Sequence, residues 1–256
     1  MRGMYENKKH VEDTFTEENL SEHLREAQRV EFIELKKVML EHAQRGKSLK
    51  VLDVGIGNAR VLGLLAKTPE LWDSIEHFEG IDVAQNCVDL SQKAIEKLGV
   101  REKANVKLLD AVNLKELNST YDLIITTWFT AGNFYPSEFN SKNFKPGESD
   151  MSHNAKFTEV FSQAYDKLNP GGEIVIGSMY IDNEATRKKQ EDSYRAFGWR
   201  VITDERDSFT ASEEGWWSQR FTKDRVREYL RFVPKEKISF TPLDTYQYAM
   251  MVRIQK

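Results

Sequence analysis

The sequence predicts an α/β fold: a doubly wound sheet closed by an antiparallel hairpin. Short runs of β-formers alternate with amphipathic helical stretches along most of the chain, which is the pattern of stacked β–α units. The run YDLIITTW, Tyr121 to Trp128, is almost continuous in β-formers, as in a strand buried on both faces of a parallel sheet. The last stretch, EKISFTPLDTYQYAMMVRIQK, reads as two strands around Pro242, Leu243 and Asp244.

Taken in order, the chain begins with a polar, unpatterned stretch to about Phe15. Thr14, with Glu17 three residues on, resembles a capping box. Apolar residues then recur at helical spacing as far as Arg45, including Leu20, Leu24, Ala27, Val30 and Val38, so one long or broken helix is expected. Val51 to Val54 is the first strand, and ARVLGLLAK the helix after it. HFEGIDV is the second strand. AQNCVDLSQKAIEKLG is a helix stopped at Gly99. ANVKLLDA is the third strand and YDLIITTW the fourth. NAKFTEVFSQAYDKL is a helix, NPGG a turn and EIVIGSMY the fifth strand. FTKDRVREYLRF is a further helix. Two segments exceed ordinary loop length, residues 129–150 and 181–219, and both leave the carboxyl ends of strands, where open α/β sheets bind ligands. We expect one domain over residues 1–256, with a helical cap at 1–47 and the two long segments as a substrate lid.

Composition narrows the function. The chain has 256 residues, 39% of them hydrophobic, enough for a substantial core. Its net charge of −4 and pI near 5.9 give no overall basic footprint, so a small-molecule partner is expected rather than a nucleic acid. Cys87 is the single cysteine, which excludes an intrachain disulfide and a cysteine-based zinc site; no metal site is expected. The start, MRGMYENKKHVED, lacks the apolar core of a signal peptide, and no run is apolar enough to span a membrane. A cytoplasmic monomer or homodimer is the expectation.

The stretch VLDVGIGNAR, Val51 to Arg60, carries the most chemistry. A strand runs into Asp53, then Gly55 and Gly57. The dinucleotide fingerprint wants a third small residue where Arg60 stands, and the phosphate-loop ending Gly-Lys-Ser/Thr is absent. Asp53 would repel a pyrophosphate but would attract an ammonium group. A cationic or zwitterionic ligand fits better than NAD.

D-V-G-I-G resembles the first motif of the class I S-adenosylmethionine-dependent methyltransferases, and the later motifs follow in order over roughly residues 48 to 180. The resemblance implies a Rossmann-like, seven-stranded, mostly parallel sheet ending in the hairpin. It implies that Asp53, Gly55 and Gly57 hold the donor's amino-acid end, and that Asp82, with Val83 beside it, accepts the ribose hydroxyls. Asp110 and Ala111 then match the position that reads the adenine, and Thr127, at the top of YDLIITT, completes the donor site. The implied cofactor is S-adenosyl-L-methionine, with S-adenosyl-L-homocysteine as product.

Methyl transfer from a sulfonium demands alignment, exclusion of water and sometimes removal of a proton, rather than an elaborate catalytic constellation. The stretch FTAGNFYP follows the fourth strand, where the acceptor approaches in this family. Gly132 would allow close backbone approach, Asn133 offers both donor and acceptor, and Phe129, Phe134 and Tyr135 would wall off water. T-A-G-N-F also resembles a stretch of the histidine N-methyltransferase of ergothioneine synthesis, where the asparagine contacts substrate; the extra substrate domain of that family has no counterpart here. His153 is the best-placed histidine for a general base, and Tyr180 ends the fifth strand. Trp216 and Trp217 would point opposite ways if extended, one into the core and one into the lid. In similar enzymes the N-terminal segment folds over the donor, which makes Tyr5 and Phe15 further candidates. The reading is methyl transfer to oxygen or nitrogen of a small molecule. An RNA or protein acceptor, and a nucleoside-binding regulator without turnover, remain open as alternatives.

Overall fold

The computed structural model describes Tyr5, Val11 and residues 22–46, 48–134, 141–243 and 248–256, His23 by its backbone alone. Thr14, Phe15, Glu17, Tyr135 and Asp244 lie outside the described residues.

Helix α1 (Glu22–Ala43) buries Leu24, Ala27, Glu31, Leu35, Val38 and His42. Their spacing of three and four residues draws one stripe down the helix, and that stripe lies on the sheet. Strand β1 (Leu49–Val54) leads through the glycine turn to α2 (Arg60–Ala66) and a single turn, α3 (Pro69–Trp72). Strand β2 (Ile75–Asp82), helix α4 (Gln85–Leu98) and strand β3 (Ala104–Leu108) follow. Gly99, at φ +70°, takes the left-handed conformation that stops α4. A 3₁₀ turn over Ala111–Glu116 precedes β4 (Tyr121–Thr126). A second one, Thr130–Asn133, follows it. Helix α5 (Ala155–Lys167), capped by the Asn154 side chain on the Phe157 amide, then feeds β5 (Leu168–Ile181). Helix α6 (Glu184–Ala196), strands β6 (Phe209–Ala211) and β7 (Trp217–Phe221), and helix α7 (Lys223–Tyr229) come next. Strands β8 (Ile238–Pro242) and β9 (Ala249–Gln255) close the chain.

The parallel part of the sheet runs β3-β2-β1-β4-β5. Strand β9 joins the free edge of β5 antiparallel, and β8 pairs with β9. These seven strands are the sheet expected from sequence. The described residues contain nine, however. The two additional strands are β6 and β7, an antiparallel pair in and just beyond the long segment 181–219. Strand β5 outruns β4: Thr126 pairs with Ile176, whereas Tyr180 and Ile181 pair with Arg220 and Phe221 of β7. Tyr180 also pairs with Ala249 of β9, so β7 takes the edge that β4 vacates. A buried bulge at Ser178, φ +45°, turns β5 between its two partners. A second correction concerns NPGG, expected as a turn. Strand β5 begins at Leu168 and runs through it, with Asn169 bonded to the Asp122 carboxylate on β4.

Alternate residues of each strand feed two cores. Val51, Leu123, Ile125 and Val175 pack under α1, α2 and α4, while Leu52, Ile124, Ile174 and Ile176 pack under α5 and α7. A third, smaller core lies within the long segments, where Phe144 meets Phe209 edge-on at 5.6 Å. Ser141 bonds to the Glu213 carbonyl and the Gly147 amide to the Asp207 carboxylate, so the two long segments pack on each other. No described helix is long and apolar enough to cross a membrane.

Candidate active site

The carboxyl ends of β1, β2, β4 and β5 meet where the strand order reverses about β1, the position at which open α/β sheets bind ligands. Gly55 has φ +81° and Gly57 φ +58°. A Cβ on Gly55 would stand 2.6 Å from Thr130 Cγ2, so the turn needs glycine both for its conformation and for its approach to the loop after β4.

Asp82 ends β2 and is 8% exposed. Its Oδ2 accepts the Gly57 amide at 3.0 Å and its Oδ1 the Ala84 amide at 3.0 Å. The carboxylate therefore clasps the glycine turn and keeps lone pairs for a ligand. Burial pushes its pKa up, opposed by the amides of Ala84, Gly57 and half-buried Val83. Asp110 caps the 3₁₀ turn through the Val112 amide at 3.3 Å, with Lys156 Nζ 3.7 Å away, and Ala111 beside it is buried. Thr127 is buried just beyond β4.

Asp53 is different. It is 2% exposed, and its Oδ1 has no hydrogen-bond partner among the described residues. Burial pushes its pKa up to about 7; Arg60 opposes this, while Glu31 and Asp82 add to it. A buried carboxylate oxygen without a donor is costly unless a ligand supplies one. The arrangement suits a ligand bearing an ammonium group near the glycine turn and a diol near Asp82.

Beyond β4, Trp128 and Phe129 both adopt the left-handed conformation, with φ +55° and +60°. For bulky side chains this costs about 1–2 kcal/mol each and persists only where the surroundings over-determine it. Here they do. The Phe129 ring stacks on Tyr180 at 3.8 Å and 11°, and the Trp128 amide donates to Glu31 Oε1 at 2.9 Å. The Tyr180 phenol is pushed up by burial and stays neutral. Asn133 is half-buried at the end of the 3₁₀ turn.

Other expected residues fall elsewhere. A Cβ on Gly132 would stand 2.7 Å from Ser218 Oγ and 3.2 Å from the Gln219 carbonyl, so the close approach expected there is to β7. Phe134 is 6% exposed and packs in the core edge-on to Phe161. His153 is exposed, with Asp150 as a charge neighbour. Trp216 and Trp217 are both buried in the small third core rather than divided between core and lid. Trp216 lies flat on Trp199 at 4.4 Å and edge-on to Tyr5 at 5.6 Å. Tyr5 in turn accepts a hydrogen bond from Asn86 at the start of α4, through its carbonyl, and lies within electrostatic reach of Asp82.

Glu31 was not foreseen. It is 1% exposed, on the buried stripe of α1, and binds Arg60 at 2.5 Å as well as the Trp128 amide. A charged residue at an apolar-stripe position was the signal available, four residues from both Ala27 and Leu35.

Comparison with known proteins identifies the family and the fold. Residues 45–232 match the family model described as a methyltransferase domain. No curated protein sequence matches. Among solved structures, magnesium protoporphyrin IX methyltransferase from Synechocystis PCC 6803, with bound S-adenosylhomocysteine, superposes with a TM-score of 0.54 at 13% identity, covering 93% of this chain and 88% of that one. An S-adenosylmethionine-dependent methyltransferase from Clostridium acetobutylicum ATCC 824 gives 0.54 at 12% identity, covering 98% of each chain. These likenesses show the shared fold, and the family match spans well over half of the sequence. The chain belongs to the methyltransferase-domain family.

Proposed function

We propose that this protein transfers the methyl group of S-adenosylmethionine to an oxygen or nitrogen of a small molecule. The observation that carries the reading is Asp53: a buried carboxylate beside a two-glycine turn, with one oxygen lacking a donor among the described residues. An α-ammonium group supplies that donor, whereas a pyrophosphate would meet repulsion. Asp82 fits the ribose, because its two oxygens are already oriented by backbone amides and a carboxylate accepts paired hydroxyls well. Asp110 and Ala111 border the adenine, and Thr127 the methyl-bearing end.

When bound, the donor supplies an activated methyl carbon; the acceptor lone pair bonds to it as the carbon–sulfur bond breaks, and sulfur keeps the electron pair in S-adenosylhomocysteine. The protein's part is alignment and dryness. Phe129 and Tyr180 present a stacked aromatic wall, the neutral Tyr180 phenol retains its proton, and Asn133 offers an amide to orient the acceptor. Trp216 and Trp217 shape the lid from within its core. His153 is exposed and Phe134 packs in the core, so this reading assigns neither a role. The two long segments packing on each other, and the acidic balance, favour an enclosed site for a small molecule over an RNA strip.

Calorimetric titration tests the reading. S-adenosylmethionine and S-adenosylhomocysteine should bind with micromolar affinity, NAD should not, and Asp82→Ala should abolish binding. Unchanged affinity in that variant removes the ribose assignment.

A further inference from the structure

Arg60 stands where a dinucleotide turn has a small residue, and α1 buries a glutamate against it. The Arg60 guanidinium lies 2.5 Å from Glu31 Oε2 and 5.8 Å from the centre of the Trp128 ring. The other oxygen, Glu31 Oε1, takes the Trp128 amide at 2.9 Å. Strand β5 makes room at Gly177, where a Cβ would stand 2.5 Å from Glu31 Oε1. One buried carboxylate thus touches the helix after the glycine turn, the left-handed turn after β4 and the backbone of β5.

We infer that Glu31 and Arg60 are a positioning pair for the donor site: Glu31 locks the Trp128–Phe129 turn against α2, and it holds the Arg60 guanidinium within reach of Asp53. The inference rests on the donor reading above. Asp53 is faced by Arg60 from α2, Glu31 from α1 and Asp82 from the end of β2, so among the described residues one cation sits among three carboxylates. Held by Glu31, the guanidinium favours the ionised form of Asp53 only in part, which leaves that carboxylate short of a cation until a ligand ammonium arrives. The same contact fixes the turn that carries Phe129. The donor half and the acceptor half of the site therefore share one pair.

The test is calorimetric titration with S-adenosylhomocysteine between pH 5.5 and 7.5 on the full chain and on Asp53→Asn, Glu31→Gln, Arg60→Met and Arg60→Lys. The unsubstituted protein should bind about tenfold more weakly at pH 5.5 than at pH 7, because binding needs ionised Asp53. Asp53→Asn should flatten the profile. Glu31→Gln removes a neighbouring negative charge and releases Arg60, so the midpoint should move to lower pH. Arg60→Met should move it to higher pH, each by roughly half a unit or more, and Arg60→Lys should bring it back toward the original. A purely structural pair would change affinity or melting temperature and leave the midpoint in place. Midpoints that stay put, or that move together, overturn the inference. Should Arg60→Met fail to fold, Glu31→Gln and Arg60→Lys carry the comparison. No binding by the unsubstituted protein at any pH would instead remove the donor reading, and this inference with it.

Discussion

Asp53 of β1 and Glu173 of β5 are buried almost equally, two register positions apart in the same sheet, and their surroundings treat them in opposite ways. Glu173, near the start of β5, is 1% exposed. Arg253 of β9 grips both its oxygens, at 2.5 and 3.0 Å, and His42 of α1 approaches at 3.4 Å. Burial pushes the Glu173 carboxyl up, but His42 and Arg253 together hold it below the usual glutamate range. Asp53, at the carboxyl end of β1, is 2% exposed and has an oxygen unpartnered among the described residues; its pKa is pushed up to about 7. One carboxylate ties α1 to the sheet and is satisfied by the chain. The other has an oxygen without a partner among the described residues, and on the proposed reading a ligand's ammonium group supplies one. Burial alone does not distinguish a structural charge from a functional one, whereas the completeness of its hydrogen bonding does.

The largest effect is expected from breaking the satisfied site. Glu173→Ala would strand the Arg253 guanidinium and destabilise the fold by about 3–5 kcal/mol. Thermal denaturation should show a fall of roughly 10 °C in Tm. Donor affinity, measured below that temperature, should not change.

Asp53→Asn should act in the opposite sense. The folded-state pKa of Asp53 lies above the ordinary aspartate value of 3.8, so the folded protein binds more protons than the unfolded one between about pH 4 and 7. Asp53 therefore makes the ligand-free protein less stable as pH rises through that window. The asparagine variant should be more stable than the unsubstituted protein at pH 8, on the order of 2–4 kcal/mol, and nearly equal to it at pH 4. Donor affinity should fall about a hundredfold, as expected when a buried charge-assisted bond is lost. Glu173 has the reverse sign: its stabilisation is fully present above the ordinary glutamate value of 4.5 and is lost as pH falls through its lowered folded value. Denaturant unfolding of the ligand-free protein should therefore be most resistant near pH 5. A variant that is neither stabilised at pH 8 nor impaired in binding would erase the contrast between the two carboxylates.

The smallest effect marks the floor of the comparison. Glu26 and Arg29 form a bidentate pair on the exposed face of α1. Such pairs contribute little in water, so Glu26→Gln should leave Tm and donor binding where they were. A measurable loss there would mean that hydrogen-bond count, rather than burial with it, governs these carboxylates.

Much of the site was legible because its signals are local. Gly55, Gly57 and Asp82 lie in short motifs whose spacing follows the strand–turn–helix geometry, and the Gly99 stop and the terminal hairpin follow from turn chemistry. The strands β6 and β7 were not legible. Each is short, and the pairing of β7 with the tip of β5 depends on β4 ending at Thr126, far from either strand in the sequence. Trp216 and Trp217 show the same limit. Alternation predicts opposite faces, but both faces are covered here, one by Trp199 and Tyr5.

Residue order alone was enough for the alternation of strands and helices, the glycine turn and the acid at its mouth. These depend on backbone conformations and periodicities that act over a few residues. Whether a given acid is paired required the folded molecule. Asp53 and Glu173 each follow a strand pattern, and nothing within several residues of either names Glu31, Arg60, His42 or Arg253 as a neighbour. Those partners come from α1, α2 and β9, and charge interactions act through space between groups that only chain packing brings together.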